Sequence, residues 1–380
     1  MDLAAIFLVY LAALIVTGLF LYGLWQAVRS ETFRGKIAGL IRALGLTRAE
    51  FNPILEAREQ AWERGGVMNP AAVRVGGKTH IFYRAIGADG VSRIGYALSE
   101  DGVHIDERLP FPVFALNADP EASRSFAHHA GLSASGGSFA GVEDPRATVI
   151  DGRMYLTFNA FWGWDSLRTA VTSLSLEDLL GQRWKWTPPA YLSPAGEVQK
   201  NWVLFPEKRA GRFSILHSLH SGSRDQVLVD HIPELVDDPG IESPYAFESD
   251  ENVWDSRLRG AGPPPIKTGK GWLVLYHAND QREPHRYKLG AMLLDLHDPS
   301  KVLARSPVPV LEPDAWYENH GKPGVVYACG ATVENDTLRV YYGGADAVVC
   351  TAATSLSRLL GKLVPPARLS GLSAPRHAFA

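Results

Sequence analysis

The sequence predicts an all-β protein, a five-bladed β-propeller preceded by an N-terminal transmembrane helix. Three observations predict it. The chain of 380 residues is rich in Gly (36), Pro (25), Trp (10) and Tyr (13), which suits many short strands joined by turns better than a helical bundle. A strand-turn-strand unit recurs five times past residue 66. Ahead of those units lies one uncharged apolar run long enough to cross a bilayer.

That run, Leu3 to Trp25, spans roughly 34 Å as a helix at 1.5 Å per residue. It reads as an anchor rather than a cleavable signal, because Asp2 precedes it and bulky residues follow it. Arg29, Arg34, Lys36, Arg42 and Arg48 follow the span, so the positive-inside rule places the rest of the chain on the cytoplasmic side of an inner membrane. Residues 1–28 are the expected anchor and 29–65 a juxtamembrane helical linker. Ile37, Leu40, Ile41 and Leu44 would share one face of that linker, lying either on the membrane surface or on the propeller flank.

The propeller is expected over 66–360, with 361–380 as a C-terminal tail. The second strands of the repeat read HIFYRA (80–85), MYLTFNA (154–160), FSILHS (213–218), WLVLYHA (272–278) and LRVYYGG (338–344). Third strands follow at IGYALS (94–99), TAVTSLS (169–175), DQVLVDH (225–231), YKLGAMLLD (287–295) and AVVCTAATS (347–355). Five sheets that cannot each bury both faces alone imply a closed radial array. Polar residues at the second-strand ends, Arg84, Asn159, His217, His277 and the nearby Asp346, would then gather around the axis and line a polar funnel.

Charge excludes one class of partner. The formal net charge is −3 and no basic block is interleaved with aromatics, so nucleic acid is not expected. Cys329 and Cys350 fall in no metal-ligand spacing and read as reduced core thiols; no metal and no organic cofactor are expected.

The segment GVEDPRATVIDGRMYLTFNA (141–160) sets Glu143, Asp144 and Arg146 around Pro145, in what reads as a rigid turn before a strand at the funnel mouth. Alone, such a turn is more readily a local salt bridge than a catalytic site. As chemistry, a positioned carboxyl group is the least that glycosidic bond cleavage requires, which makes Asp144 the candidate general acid.

This stretch resembles the EDPR motif of glycoside hydrolase family 130, the mannoside phosphorylase and mannosidase family. Further matches follow in order: NPAAV (69–73), YRA (83–85), SRIGYALSEDG (92–102), NWVLFPEK (201–208), GAGPPPIKTGKGWLVLYH (260–277), YKLGAMLLDLHDP (287–298) and VYYGGAD (340–346). The resemblance covers about residues 66–355 and implies a five-bladed propeller, in agreement with the count of repeats. It implies that Asp144 is the proton donor, acting through a hydroxyl of the bound mannose, and that Asn69, Arg84, Arg93 and Asp346 hold the donor mannose. It offers Arg168, Lys208 and His277 as the cluster that holds inorganic phosphate, the co-substrate. FWGWDS (161–166) departs from the family by its length and aromatic content.

The expected activity is inverting phosphorolysis of terminal β-mannosides, from an oligosaccharide or glycoconjugate, to give α-mannose 1-phosphate. Three alternatives stand beside it: an inverting β-mannosidase with Glu251 or Glu318 as base, a membrane-anchored β-mannosyltransferase, and a non-catalytic glycan-binding propeller.

Overall fold

A computed structural model of the chain describes residues 16–19, 22, 45–116, 138–197, 199–221, 224–241, 246–247 and 254–365. The chain divides into two units, Met1–Gly45 and Leu46–Ala380. In the first, Val16–Leu19 and Tyr22 are helical and exposed. The transmembrane expectation is corrected here: among the described residues no helix is long and apolar enough to cross a membrane. The remainder of Leu3–Trp25 lies outside the described residues, as do Ile37, Leu40, Ile41 and Leu44. The inner-membrane placement and the membrane partner depended on that span and fall with it.

The second unit is all β and forms five blades around an axis; its strands make four hydrogen-bonded sheets, because a short parallel pairing of Val91–Ser92 with Ala140–Gly141 joins the first two blades in one sheet. Its first strand, β1 (Thr47–Arg48), is reserved for the closing blade. Blade one comprises β2 (Gly66–Val75), β3 (Lys78–Ile86), β4 (Val91–Ser99) and β5 (Glu107–Arg108). Blade two comprises β6 (Ala140–Ile150), β7 (Arg153–Phe161), β8 (Arg168–Ser175) and β9 (Ala190–Tyr191). Blade three holds β10 (Gln199–Arg209), β11 (Arg212–Ser221), β12 (Arg224–Ile232) and β13 (Ala246–Phe247). Blade four holds β14 (Arg257–Ala261), β15 (Ile266–Thr268), β16 (Gly271–Asn279), β17 (Lys288–Leu294) and β18 (Val302–Arg305). Blade five holds β19 (Val326–Glu334), β20 (Thr337–Gly344) and β21 (Val348–Ser355), and β1 pairs antiparallel with β21 to complete it.

Long strands such as β3, β6, β7, β16 and β17 are buried on both faces because neighbouring blades pack face to face, so they read as nearly unbroken apolar runs rather than alternating ones, while the short outer strands β1, β5, β9, β15 and β18 are only partly covered. Phe82, Tyr96, Phe114 and Phe158 fill the space between blades one and two. Ile150, Val171, Trp202 and Ile215 join two to three, and Val203, Phe205, Trp272 and Tyr276 join three to four. Ile81, Tyr83, Tyr341 and Val349 seal blade five against blade one.

The described part of the predicted helical linker, 45–65, contains no helix. Its apolar residues Leu46 and Leu55 are buried, Leu55 bridges Val349, and Pro53 interrupts any helical run. Arg48 donates from Nε and Nη2, each at 2.7 Å, to the two oxygens of the fully buried Glu318 carboxylate. The ring is thus latched by its earliest strand. At the other end, Val364 of the predicted tail bridges Arg305.

Candidate active site

The innermost strand of every blade carries a bulge near its site-side end. The register slips between Met68 and Ala71, Glu143 and Arg146, Lys200 and Val203, Leu258 and Gly260, and Ala328 and Gly330. The bulged positions are Asn69, Asp144, Asn201, Arg259 and Cys329. Asn69 and Asp144 both sit at φ 49 and Asn201 at φ 63, a left-handed conformation that Asn and Asp tolerate best among residues with a Cβ. Pro70 and Pro145 follow two of them, which a strand permits at a bulge because no ladder N–H is required there. EDPR therefore lies inside β6 rather than in a turn before a strand. The strand continues through the motif, and its bulge does the re-aiming that the turn was expected to do.

The bulges build one hydrogen-bonded cluster. Asp144 Oδ1 accepts from Asn69 Nδ2 at 2.7 Å and from Arg84 Nη1 at 3.1 Å. Arg84, 1% exposed, also donates to Glu143 Oε1 at 2.9 Å, Ser138 Oγ at 2.8 Å and Ser92 Oγ at 2.9 Å. Lys200 Nζ lies 3.5 Å from Glu143 Oε2 and 4.7 Å from the centre of the Trp164 ring. Arg146 Nη1 donates to the Asp144 carbonyl at 2.6 Å and Nη2 to Asn201 Oδ1 at 3.0 Å. Asn201 Oδ1 also accepts from the Tyr327 hydroxyl at 2.6 Å, and its Nδ2 donates to the Arg259 carbonyl at 3.3 Å. Side chains from distant parts of the chain thus meet around one centre.

Electrostatics follow from this crowding. Burial pushes the Asp144 carboxyl up, but the charges of Arg84, Arg146 and Lys200 and the bond from Asn69 outweigh it and hold it down to about 2. Arg84 is pushed up despite burial, by Glu143, Asp144 and Asp346. His277 is held down to about 3 by burial and by Arg146, so it is a neutral imidazole at physiological pH. The Ala328 N–H donates to its Nε2 at 2.9 Å, which places the imidazole proton on Nδ1. That buried Nδ1 has no partner among the described residues, and neither does the buried Asn69 Oδ1. An orphan donor and an orphan acceptor of this kind are what a bound polar ligand would satisfy.

The sequence-derived residues divide into two groups. Asn69, Arg84 and Asp144 are in direct contact. Asp346 sits in the β20–β21 turn at φ 52, pairs with Lys322 at 3.0 Å, and its charge acts on Arg84. Arg93 stands at the rim, paired with Asp89 at 2.6 Å. His277 stacks on Tyr327 with ring centres 4.0 Å apart. Arg168 instead donates to the Ser193 carbonyl at 2.8 Å and the Tyr191 carbonyl at 3.0 Å, tying β8 to β9. Lys208 pairs with Asp151 at 3.4 Å, at the opposite end of β10 from Asn201, roughly 20 Å away at about 3.3 Å per residue. The cation on that strand that reaches the cluster is Lys200. The second-strand residues Arg84, Asn159 and His277 lie behind the bulges and brace them: Asn159 Oδ1 accepts from the Asn201 N–H at 3.3 Å. His217 packs its ring 4.9 Å from that of Trp202.

Lys200, Asn201, Arg259 and Tyr327 escaped the sequence reading, and Arg146 was seen in its motif but given no role. An alignment of the inner strands on NPAAV, DPRATV and NWVLF places Asn69, Asp144 and Asn201 in one column and Lys200 beside Glu143 in the preceding one. Among the described residues no group of three or more His, Cys, Asp or Glu could hold a metal ion. Both cysteines are free and buried. Glu318, one candidate hydrolytic base, is fully buried and bound by Arg48, the Tyr342 hydroxyl at 2.8 Å and the Ala315 N–H at 2.8 Å. Glu251, the other, lies outside the described residues.

Comparison with known proteins adds to this geometry. A family profile described as beta-1,4-mannooligosaccharide phosphorylase, of glycoside hydrolase family 130, matches residues 51–363. The chain is 37% identical over 319 residues to a 1,2-beta-oligomannan phosphorylase of a Thermoanaerobacter species, covering 81% of this chain and 96% of the relative. It is 34% identical over 322 residues to a beta-1,2-mannobiose phosphorylase of the same organism, covering 79% and 94%. Among solved structures it is similar in fold to the beta-1,2-mannobiose phosphorylase of Listeria innocua, with a TM-score of 0.66 at 24% identity over 84% of this chain and 99% of that one.

Proposed function

The chain belongs to glycoside hydrolase family 130, and on that premise we infer that it is a β-mannoside phosphorylase. It transfers a terminal β-mannosyl unit from an oligosaccharide to inorganic phosphate, giving α-mannose 1-phosphate and a shortened acceptor. The two Thermoanaerobacter relatives carry names that specify β-1,2 linkages, and we take that linkage as the preferred one.

The observation that carries the reading is a carboxylate, Asp144, fixed between Asn69 and Arg84 in a buried cluster that also contains Lys200 and Arg146. A hydrolase of inverting type needs a second, free carboxylate to deprotonate water. Glu318 is engaged in the latch of the ring and cannot serve. A cationic cluster instead suits a phosphate oxygen as nucleophile, because charge-assisted bonds to a dianion are strong and hold it in line with the anomeric carbon. In the proposed step the phosphate oxygen bonds to the anomeric carbon from the α face while the glycosidic C–O bond breaks. The proton of Asp144 passes to a hydroxyl of the bound mannose, and that hydroxyl's own proton passes to the departing oxygen.

In the ligand-free site Asp144 is ionised, since its pKa is about 2. Phosphate beside Lys200 and Arg146 offsets the charges that depress it and raises its affinity for a proton. Nucleophile and acid therefore become competent together. The neutral His277 Nδ1–H is suited to donate to a phosphate oxygen, and Asn69 Oδ1 to accept from a mannose hydroxyl.

The test is incubation of purified protein with β-1,2- and β-1,4-mannobiose, with and without inorganic phosphate. The expected product is α-mannose 1-phosphate, formed only with phosphate and lost in a folded Asp144→Asn variant. Release of free mannose without phosphate, or turnover by that variant, would overturn the reading.

A further inference from the structure

The aromatic segment FWGWDS remains outside this mechanism. It forms the turn between β7 and β8, with Gly163 at φ 107 and a short 3-10 segment, Trp164–Ser166. Turns between second and third strands lie at the site-side end of their blades, and this one follows Asn159, which braces the Asn201 bulge. The Trp164 side chain is 48% exposed, whereas large apolar groups of this protein are mostly buried. Its ring lies 4.7 Å from Lys200 Nζ and meets Phe161 edge-on at 5.5 Å, 77°. Lys200 in turn pairs with Glu143, the neighbour of Asp144. An indole is therefore propped beside the polar cluster, steadied by a buried phenyl ring and a cation, with much of its apolar surface left to solvent.

We propose that Trp164 is the stacking platform for the acceptor-side sugar of the substrate, and so a determinant of acceptor recognition. The proposal rests on the phosphorylase reading for the identity of the sugar. The polar residues at the bottom of the site, Asn69, Arg84 and Asp144, match the hydroxyls of the terminal mannose. The next sugar emerges toward the rim, where it presents a C–H face that needs an apolar partner. A Trp ring supplies large contact area at little entropic cost because it has two side-chain torsions and is already braced.

The experiment has a binding arm and a kinetic arm. In the binding arm, β-1,2-mannotriose is titrated calorimetrically into Asp144→Asn protein with and without Trp164→Ala. Dissociation is expected to weaken about tenfold with alanine, which corresponds to about 1.4 kcal/mol. Trp164→Phe is expected to stay within about threefold of the parent. In the kinetic arm, Trp164→Ala raises KM for the acceptor in the synthetic direction about tenfold and leaves KM for phosphate within about twofold. Unchanged mannotriose binding would overturn the platform, and so would an equal rise in KM for phosphate, which would place Trp164 in the service of Lys200. If no phosphate-dependent turnover occurs but mannotriose still binds and depends on Trp164, the enzymatic reading fails while the platform stands. Absence of binding to the parent would sink both.

Discussion

Gly343→Ala isolates the link between packing and catalysis. Gly343 lies in β20 opposite Tyr327 and does not adopt a positive φ, so alanine is compatible with its backbone. Its side-chain space is already taken: a Cβ there would lie 2.2 Å from Asn69 Oδ1 and 2.8 Å from Asn69 N. Relief to ordinary contact requires Asn69 to retreat by roughly 1 Å, and a misplacement of that size costs on the order of 100-fold in rate. The same retreat breaks the 2.7 Å bond from Asn69 to Asp144. Loss of a hydrogen bond to a charged group is worth about 1.5–3 kcal/mol, or roughly 10- to 150-fold. The two figures describe one event and are not summed. We expect kcat/KM for phosphorolysis of β-1,2-mannobiose to fall about 100-fold, about 2.7 kcal/mol. The β circular dichroism spectrum should be retained. Gly269→Ala, where a Cβ meets open space, is the matched control and should be silent. If Gly343→Ala keeps kcat/KM within about threefold of the parent, Asn69 does not position Asp144.

Two further expectations concern stability. Arg48→Ala leaves the fully buried Glu318 carboxylate without its bidentate partner. Because Arg48 is itself partly exposed, the loss should fall at the lower end of the buried-pair range, about 3 kcal/mol by urea unfolding, and a loss below about 1 kcal/mol would show that the latch is not held by this pair. His277 and His217 are held below their ordinary 6.5, to about 3 and about 4, chiefly by burial. Between pH 6.5 and 4 the unfolded chain therefore binds protons that the folded chain refuses, so stability falls as pH falls through that window, by up to about 1.4 kcal/mol per pH unit for each histidine. A folded-state NMR titration that placed either imidazole near 6.5 would refute this.

The blades were legible because a repeating unit betrays itself in strand length and turn spacing, whichever face each residue occupies. Asp144, Asn69 and Arg84, which meet in one cluster, each fall in a short motif that the sequence displays. Lys208 stands away from that cluster for a physical reason: a motif written along a strand does not say which end meets the bulges of the other blades, and a lysine stands near each end of β10. Arg168 donates to carbonyls of its own blade, which an arginine on a third strand can reach as readily as a central ligand. Arg146 was visible in EDPR, but its contact with Asn201 joins two blades, and no local pattern encodes that meeting. The apolar run at the start of the chain has the composition of a membrane span, yet length and hydropathy alone did not make one among the described residues.

The five bulges have an implication for how such a protein can change. Every blade offers the same socket at the hub, filled here by Asn69, Asp144, Asn201, Arg259 and Cys329, while the strands behind it carry the mechanical load. One plug can be exchanged for another without rewiring the wheel. Cys329 occupies a socket to which no task has been given, which makes it the natural place to install new chemistry in an otherwise finished rotor.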